Sequence, residues 1–475
     1  MENNNLTAKQ NLPYIAGITL VATLGGLLFG YDTAVISGAI GALRTYFNLT
    51  AAETGWAASS ALVGCVLGAA VAGWIADKYG RKPGLLLAAV LFTISAIGSA
   101  IPETFTEFII YRIVGGVGVG IASMLSPMYI AEIAPAHLRG RLVSFNQFAI
   151  IFGMLVVYFV NYGIALQGDS TWMENTGWRW MFGSETIPAV LFCLLMLLVP
   201  RSPRWLAMVG QENKAFQVLA KITGPANAEQ ALTEIKASLH QDKKQEKVKL
   251  VGQGFGLVVF IGIMLSVFQQ VTGINVFLYY APEIFSQLGG GSTDTSLLQT
   301  IVVGAVNLIF TVVAILTVDR IGRKPLMMIG ALGMGVCISA IGFAAYLQST
   351  DVWLLVFVLG YIASFALSLG PVVWVLLSEI FPNQIRGKAM ALAVAAQWIS
   401  NFAVSQTFPM MMDNPFLLDN FHGGFPFWFY GAMCAVTILF VWKYVPETKG
   451  KKLEEMEQLW LKKAAPAKKK VAVAN

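Results

Sequence analysis

The chain has 475 residues, of which 56% are apolar and only 12% charged, with a formal net charge of +6. A soluble globular chain carries about 25% charged residues, so the composition excludes a soluble enzyme or carrier and indicates an integral membrane protein. The alternating pattern of a membrane barrel is absent, and backbone groups in lipid must be paired within their own segment, so the spans are expected to be helices of about 20 residues.

Twelve apolar stretches are expected to cross the bilayer, at 13–41, 55–76, 83–101, 106–131, 141–166, 180–199, 251–280, 297–317, 325–346, 352–379, 388–411 and 425–445. The first enters at Pro13 without a basic leader, as a true span and not a secretion signal. Glycine is dense in two of them, at Gly64, Gly68 and Gly73 and at Gly115, Gly116, Gly118 and Gly120; small residues let helices pack closely in lipid. The second run resembles a phosphate-binding glycine motif only superficially, because no strand precedes it. Cys65, Cys193, Cys337 and Cys434 all lie in apolar stretches without metal-ligand spacing and are expected to be buried small side chains.

Spans one to six are expected to form one bundle within 1–200, and spans seven to twelve a second within 251–446. Between them, 201–250 turns to mixed charge, with apolar residues such as Ala231, Ile235 and Leu239 at helical spacing. Short amphipathic helices are expected over 211–222 and 226–240. In the tail, 447–475, another is expected over 452–461, followed by disorder from 464.

Lys and Arg fall in alternate loops, at Lys78, Arg81, Lys82, Arg139, Arg141, Arg320, Arg323, Lys324, Arg386 and Lys388, whereas 281–296, 347–351 and 412–424 carry none. The positive-inside bias places both termini and the 201–250 linker in the cytoplasm. It also accounts for the net charge without a nucleic-acid partner, and Lys468–Lys470 is a solvated run.

Three motifs in the first half recur in the same order in the second. Asp77-Lys78-Tyr79-Gly80-Arg81-Lys82 returns as Asp319-Arg320-Ile321-Gly322-Arg323-Lys324. Glu132-Ile133-Ala134-Pro135, leading to Arg139, returns as Glu379-Ile380-Phe381-Pro382, leading to Arg386; Pro200-Arg201-Ser202 returns as Pro446-Glu447-Thr448. The near-equal spacing indicates a duplicated polypeptide, and paired halves in a membrane protein usually meet around a central substrate site. Between helix ends, Asp77 is expected to pair with Arg81, Glu132 with Arg139, Asp319 with Arg323 and Glu379 with Arg386. His137 lies in the same belt as a loop residue.

These motifs, with Pro203-Arg204-Trp205, Gln269-Gln270-x-x-Gly273-Ile274-Asn275 and Lys449-Gly450, resemble the sugar porters of the major facilitator superfamily over nearly the whole chain. The resemblance implies an all-α, twelve-helix membrane protein in two pseudo-symmetric six-helix bundles. It implies proton-coupled symport of a monosaccharide by alternating access, with D-xylose the leading substrate and glucose or another aldohexose next. The proton is the coupling ion, with no cofactor or metal. The setting implied is a bacterial inner membrane, with the chain a monomer in lipid. The paired charges of the basic loops are implied to be a cytoplasmic latch.

Asp32, in the first span, is a carboxylate at membrane depth, which is costly without a partner or a task. Arg112, near the start of the fourth span, is its natural counter-ion and keeps its charge, so Asp32 is the member that titrates. Ion pairing and desolvation act on it in opposite senses, and the resemblance implies that alternating exposure loads and releases one proton there. Gln147, Gln269, Gln270, Asn275, Asn307 and Gln397 both donate and accept, which suits neutral polyols. Phe29, Tyr279, Trp374 and Trp398 offer faces to a sugar ring. The resemblance assigns sugar binding to this set together with Gly370.

The Gly370-Pro371 step is expected to break the tenth span, and Gly273 to loosen the seventh. Two departures from the family pattern stand out. Met154 replaces a Gln of the xylose-carrying branch, which leaves pentose against hexose open. Arg201 replaces the usual Glu of its motif, so one latch interaction is expected to be missing or rewired. A facilitative uniporter is disfavoured by Asp32, and a transporter-like sensor by the short tail. An enzyme is excluded by the lack of any nucleophile–base or metal set.

Overall fold

The computed structural model describes residues 11–135, 138–244, 255–289, 293–348, 353–382, 385–450, Met456 and Trp460. His137, most of the expected 452–461 helix, Lys468–Lys470 and the terminal stretch from 464 lie outside the described residues. Every regular element among the described residues is helical.

Among the described residues, eleven helical stretches are long and apolar enough to cross a membrane: Leu12–Tyr46, Ala51–Lys78, Arg81–Ala100, Phe105–Ile133, Arg139–Ala165, Ser170–Leu198, Gly256–Ser286, Thr295–Val318, Arg323–Tyr346, Trp353–Ile380 and Phe425–Tyr444. Between the last two, Arg386–Met412 runs 27 residues, about 40 Å at 1.5 Å per residue. It is the expected eleventh span, made less apolar by Gln397, Asn401, Ser405 and Gln406. The spans are numbered one to twelve in this order.

Local chemistry moved several boundaries. Span six starts ten residues before its expected position, because Asp169 accepts from Trp172 N at 2.8 Å and caps a new helix start at Ser170. Span seven reaches Gly289, so much of the expected loop at 281–296 is helical. Span seven is broken in two, Gly256–Val271 and Ile274–Gly289, with Gly273 at φ +95°; that left-handed backbone is strained for any residue with a Cβ.

Span ten is also broken, but not where the Gly370-Pro371 step predicts. Its segments are Trp353–Leu367 and Leu369–Ile380, with the break at Ser368 (φ −130°, ψ −95°). A proline ring clashes with the carbonyl four residues earlier and is tolerated in a first helical turn. Pro371 therefore displaces the break to Leu367–Ser368 and sits inside the first turn of the new segment.

In the first half, span four packs on spans two and three, and span one on span five; in the second, span nine packs on spans ten and twelve. Spans two and four approach so closely that a Cβ at Gly116 would strike the Ala61 carbonyl, and one at Gly64 the Ile113 carbonyl. Gly73, in contrast, faces open space. The halves meet through spans two and eleven, five and eight, and one and seven. The linker forms the helices Pro203–Met208, Glu212–Thr223 and Pro225–Lys244, close to the amphipathic stretches expected. Of the cysteines, Cys65 and Cys434 are buried, while Cys193 and Cys337 are half-buried.

Candidate functional site

A fully buried ion pair joins spans one and four. Asp32 and Arg112 are 0% and 1% exposed. Arg112 Nη1 donates to Asp32 Oδ1 at 2.8 Å, and Nη2 donates to the Asp32 backbone carbonyl at 3.1 Å. The guanidinium also lies over the Phe182 ring at 5.4 Å.

A third member was missed by the sequence reading. Glu185, at the junction between Trp178–Ser184 and Thr186–Leu198 in span six, is 0% exposed and within hydrogen-bonding reach of Asp32. Its two carboxyl oxygens and Asp32 Oδ2 find no donor among the described residues. Two carboxylates both accept, so a proton on either one completes the bond. Two carboxyls around one permanently charged guanidinium also reach neutrality with one proton. The rule that singles out Asp32, a carboxylate at membrane depth, applies equally to Glu185. Tyr31 and Ser184 share a 2.8 Å hydrogen bond that ties span one to this part of span six.

The amide set converges in part. Gln269, Gln270 and Asn275 are buried around the break of span seven. Asn275 Nδ2 donates to Gln270 Oε1, Gln270 Nε2 donates to Gln269 Oε1 at 3.4 Å, and Gln269 Nε2 donates to the carbonyls of Leu369 and Gly370 at 3.0 and 2.9 Å. Three expected amides and Gly370 thus form one connected group. Phe29 meets Trp398 across the halves, ring centroids 5.6 Å apart. Trp398 Nε1 and Gln397 Oε1 are buried without a hydrogen-bond partner among the described residues. Tyr279 OH accepts from Asn401 Nδ2 at 3.3 Å, and Asn401 in turn accepts from Ser405; the sequence reading passed over Asn401.

Gln147 and Met154, on span five, are half-buried, and Asn307, on the facing span eight, is buried. Trp374 is 37% exposed. Leu278 is buried, and its carbonyl accepts from Tyr158 OH at 3.0 Å, another bond between halves.

At the basic ends of the spans the paired charges are present with different partners. Arg81 takes Glu132 at 2.8 Å and reaches Asp77 only at 3.7 Å, where Asp77 is 75% exposed. Arg323 takes Glu379 at 2.7 Å; the Asp319 side chain lies outside the described residues. The expected pairs Glu132–Arg139 and Glu379–Arg386 are therefore corrected. Arg139 is exposed, and Arg386 donates from Nε and Nη2 to the Phe381 carbonyl at 3.3 and 3.2 Å. The reason is helix geometry: Arg81 and Arg323 open spans three and nine, beside the ends of spans four and ten, whereas Arg386 folds back on its own loop. Ser202 donates to Glu132 and Thr448 to Glu379, at 2.5 and 2.6 Å. All three repeated motifs thus meet in one site in each half.

On the opposite face, charges bridge the halves. Arg44 of span one pairs with Asp413 at the end of span eleven and lies 3.9 Å from Glu283 of span seven. Gln406 donates to the Ala52 carbonyl at 2.8 Å and accepts from Ser59 at 2.8 Å. Beside this seam lies a cavity of about 460 Å³, lined by Ser37, Arg44, Asp169, Glu174 and Glu283 among others. It is separate from the amide group.

A family model described as sugar (and other) transporter matches residues 18–460. The D-xylose-proton symporter of Escherichia coli K12 is 56% identical, over 96% of this chain and 97% of its own length. The glucose facilitated diffusion protein of Zymomonas mobilis is 40% identical, over 96% of this chain and 99% of its own. The inward-open structure of the xylose transporter XylE from E. coli superposes with a TM-score of 0.84 at 54% identity, covering 94% of this chain and all of that one. The chain belongs to the sugar transporter family of the major facilitator fold, and is a membrane transporter and not an enzyme.

Proposed function

We propose that the protein carries a monosaccharide, D-xylose first, together with a proton by alternating access between its two halves. The observation that carries the coupling is the buried Asp32–Arg112 pair with Glu185 beside it. Protonating Asp32 removes the charge that holds Arg112, and the proton has a second acceptor within reach. One charge crossing the membrane contributes about 2.3 kcal/mol per 100 mV, enough for a roughly fortyfold gradient where about 1.4 kcal/mol is a factor of ten. The sugar is bound by Gln147, Gln269, Gln270, Asn275, Asn307 and Gln397, with Phe29, Tyr279, Trp374 and Trp398 on its apolar faces and Met154 and Gly370 at its edge. The proton is the coupling ion and no cofactor takes part. The basic face is cytoplasmic with both termini, in a bacterial inner membrane, and the chain works as a monomer in lipid.

Asp32→Asn keeps the shape and removes the titrating group. In proteoliposomes with an imposed pH gradient, it is expected to abolish uphill accumulation while exchange of labelled for unlabelled sugar continues. Concentrative uptake by Asp32→Asn overturns the coupling role.

Met154 favours a second substrate, an aldohexose such as glucose. A thioether in place of an amide removes a donor and an acceptor and makes that wall less polar. Met154→Gln is expected to shift a pentose–hexose competition several-fold toward D-xylose; unchanged selectivity removes the position from substrate discrimination.

A further inference from the structure

The breaks of spans seven and ten are laced to each other, once in each direction. Gln269, three residues before the Thr272–Gly273 break of span seven, donates to the carbonyls of Leu369 and Gly370, at 3.0 and 2.9 Å, in the first turn after the break of span ten. In return Tyr361, from the first segment of span ten, donates its hydroxyl to the Thr272 carbonyl at 2.8 Å. All three groups are buried: Tyr361 and Thr272 are 0% exposed and Gln269 is 2% exposed. In a site closed to water, such bonds have no ready substitute when broken.

The second segment of span ten, Leu369–Ile380, is a single stretch of 12 residues. Gln269 holds one end of it. The other end carries Glu379, which accepts from Arg323 at 2.7 Å and from Thr448 at 2.6 Å. A helix transmits displacement along its axis, about 15 Å over ten residues at 1.5 Å per residue. The Gln269 amide is also the end of the chain that runs from Asn275 through Gln270. A hydroxylated ligand on those amides competes directly for the group that holds span ten.

We propose that Gln269 and Tyr361 are positioning residues that lace the two helix breaks into one hinge. A bound sugar loosens the Gln269 grip, frees the second segment of span ten and so shifts Glu379 against Arg323. The sugar arm of this inference rests on the function proposed above; the lacing itself does not.

The test uses Ser378→Cys as a reporter on the exposed side of the segment, with maleimide labelling of the native chain subtracted. Gln269→Leu removes the grip, and Tyr361→Phe removes one hydroxyl while keeping the ring. Without any ligand, Tyr361→Phe, which loses one neutral hydrogen bond of about 1 kcal/mol, is expected to label about fivefold faster than the parent, and Gln269→Leu, which loses the bonds to both carbonyls, at least as fast as Tyr361→Phe. D-xylose is expected to accelerate labelling in the parent and to add little in Gln269→Leu. Tyr361→Phe, whose lost hydroxyl bonds the Thr272 carbonyl and not an amide side chain, is expected to bind D-xylose within about twofold of the parent while its labelling response shrinks. Basal labelling equal to the parent in both variants overturns the hinge. If the parent fails to bind D-xylose, the substrate reading falls and the ligand-free comparison still decides the lacing. If Gln269→Leu does not fold, Tyr361→Phe decides alone.

Discussion

At the basic end of the first half, Arg81 is held by Glu132, and Glu132 by Ser202; in the second half, Arg323 is held by Glu379, and Glu379 by Thr448. Lys82 donates to the carbonyls of Leu197 and Val199 at the end of span six, and Lys324 to the Trp442 carbonyl near the end of span twelve. The halves part at the residue before Ser202 and Thr448. Glu447 accepts from the backbone N–H groups of Arg323 and Lys324 at 3.1 and 3.0 Å, capping span nine. Arg201 stands in its place and lies over the Trp205 ring at 5.1 Å; a guanidinium has no acceptor to offer the N–H groups at the start of span three. The charged core of the latch is thus kept by both halves, and the helix cap by one. The cap and the ion pair are separable parts.

Breaking the ion pairs gives the largest expected effects and ranks the halves by burial. The Arg81 and Glu132 side chains are 8% and 9% exposed, against 10% and 26% for Arg323 and Glu379. Removing one partner of a buried pair leaves an uncompensated charge and costs about 3–5 kcal/mol. Glu132→Ala is expected to reach that range in detergent-solubilised thermal unfolding. Glu379→Ala is expected to cost less, because water reaches its side of the pair. Equal losses would show that burial does not set the difference.

How much of this was legible in the sequence depends on whether the signal was local. The spans, the halves and the repeated motifs follow from apolar length and spacing, which are one-dimensional. Asp32 and Arg112 were legible because a charge in an apolar run is conspicuous. Glu185 was equally conspicuous, and was passed over because no motif drew attention to it. Partner choice in the latch was not legible. Arg139 and Arg386 lie near Glu132 and Glu379 along the chain, but the start of the neighbouring helix decides which guanidinium arrives. The break of span ten was misplaced for a similar reason, since proline acts four residues upstream of itself. Asn401 was not legible, because its bond to Tyr279 depends on how two spans face each other.

Removing the cap is expected to have a smaller effect than breaking the pair. Burial raises the Glu447 carboxyl, but the backbone N–H groups of Lys449, Arg323 and Lys324 outweigh it and hold the group below its ordinary value of 4.5. A group lowered on folding contributes stability that is present above its unfolded value and lost as the pH falls through its folded one. Glu447→Gln keeps one acceptor and loses the charge at the helix start, for an expected cost of about 1 kcal/mol near neutrality. The gap between the native chain and Glu447→Gln is expected to narrow as the pH is lowered from 4.5. A gap that persists in acid would assign the effect to packing.

Restoring the cap in the first half gives the smallest expected change in stability. Arg201→Glu offers the N–H groups of Arg81 and Lys82 the acceptor that Glu447 gives their counterparts, a gain of about 1 kcal/mol. It also removes a cation from the Trp205 face, a loss of about 0.5–1 kcal/mol at an exposed site. The two nearly cancel, so the unfolding temperature is a poor readout and local hydrogen exchange a good one. A peptide spanning the start of span three is expected to exchange more slowly in Arg201→Glu, approaching the protection at the start of span nine. The cap acts on backbone amides that the Arg81–Glu132 pair does not touch, so the slowing is expected to persist when Arg201→Glu is combined with Glu132→Ala. If exchange at the start of span three is unchanged in Arg201→Glu, residue identity at 201 is not what separates the two halves, and the difference lies in how the Pro200 turn is presented to span three.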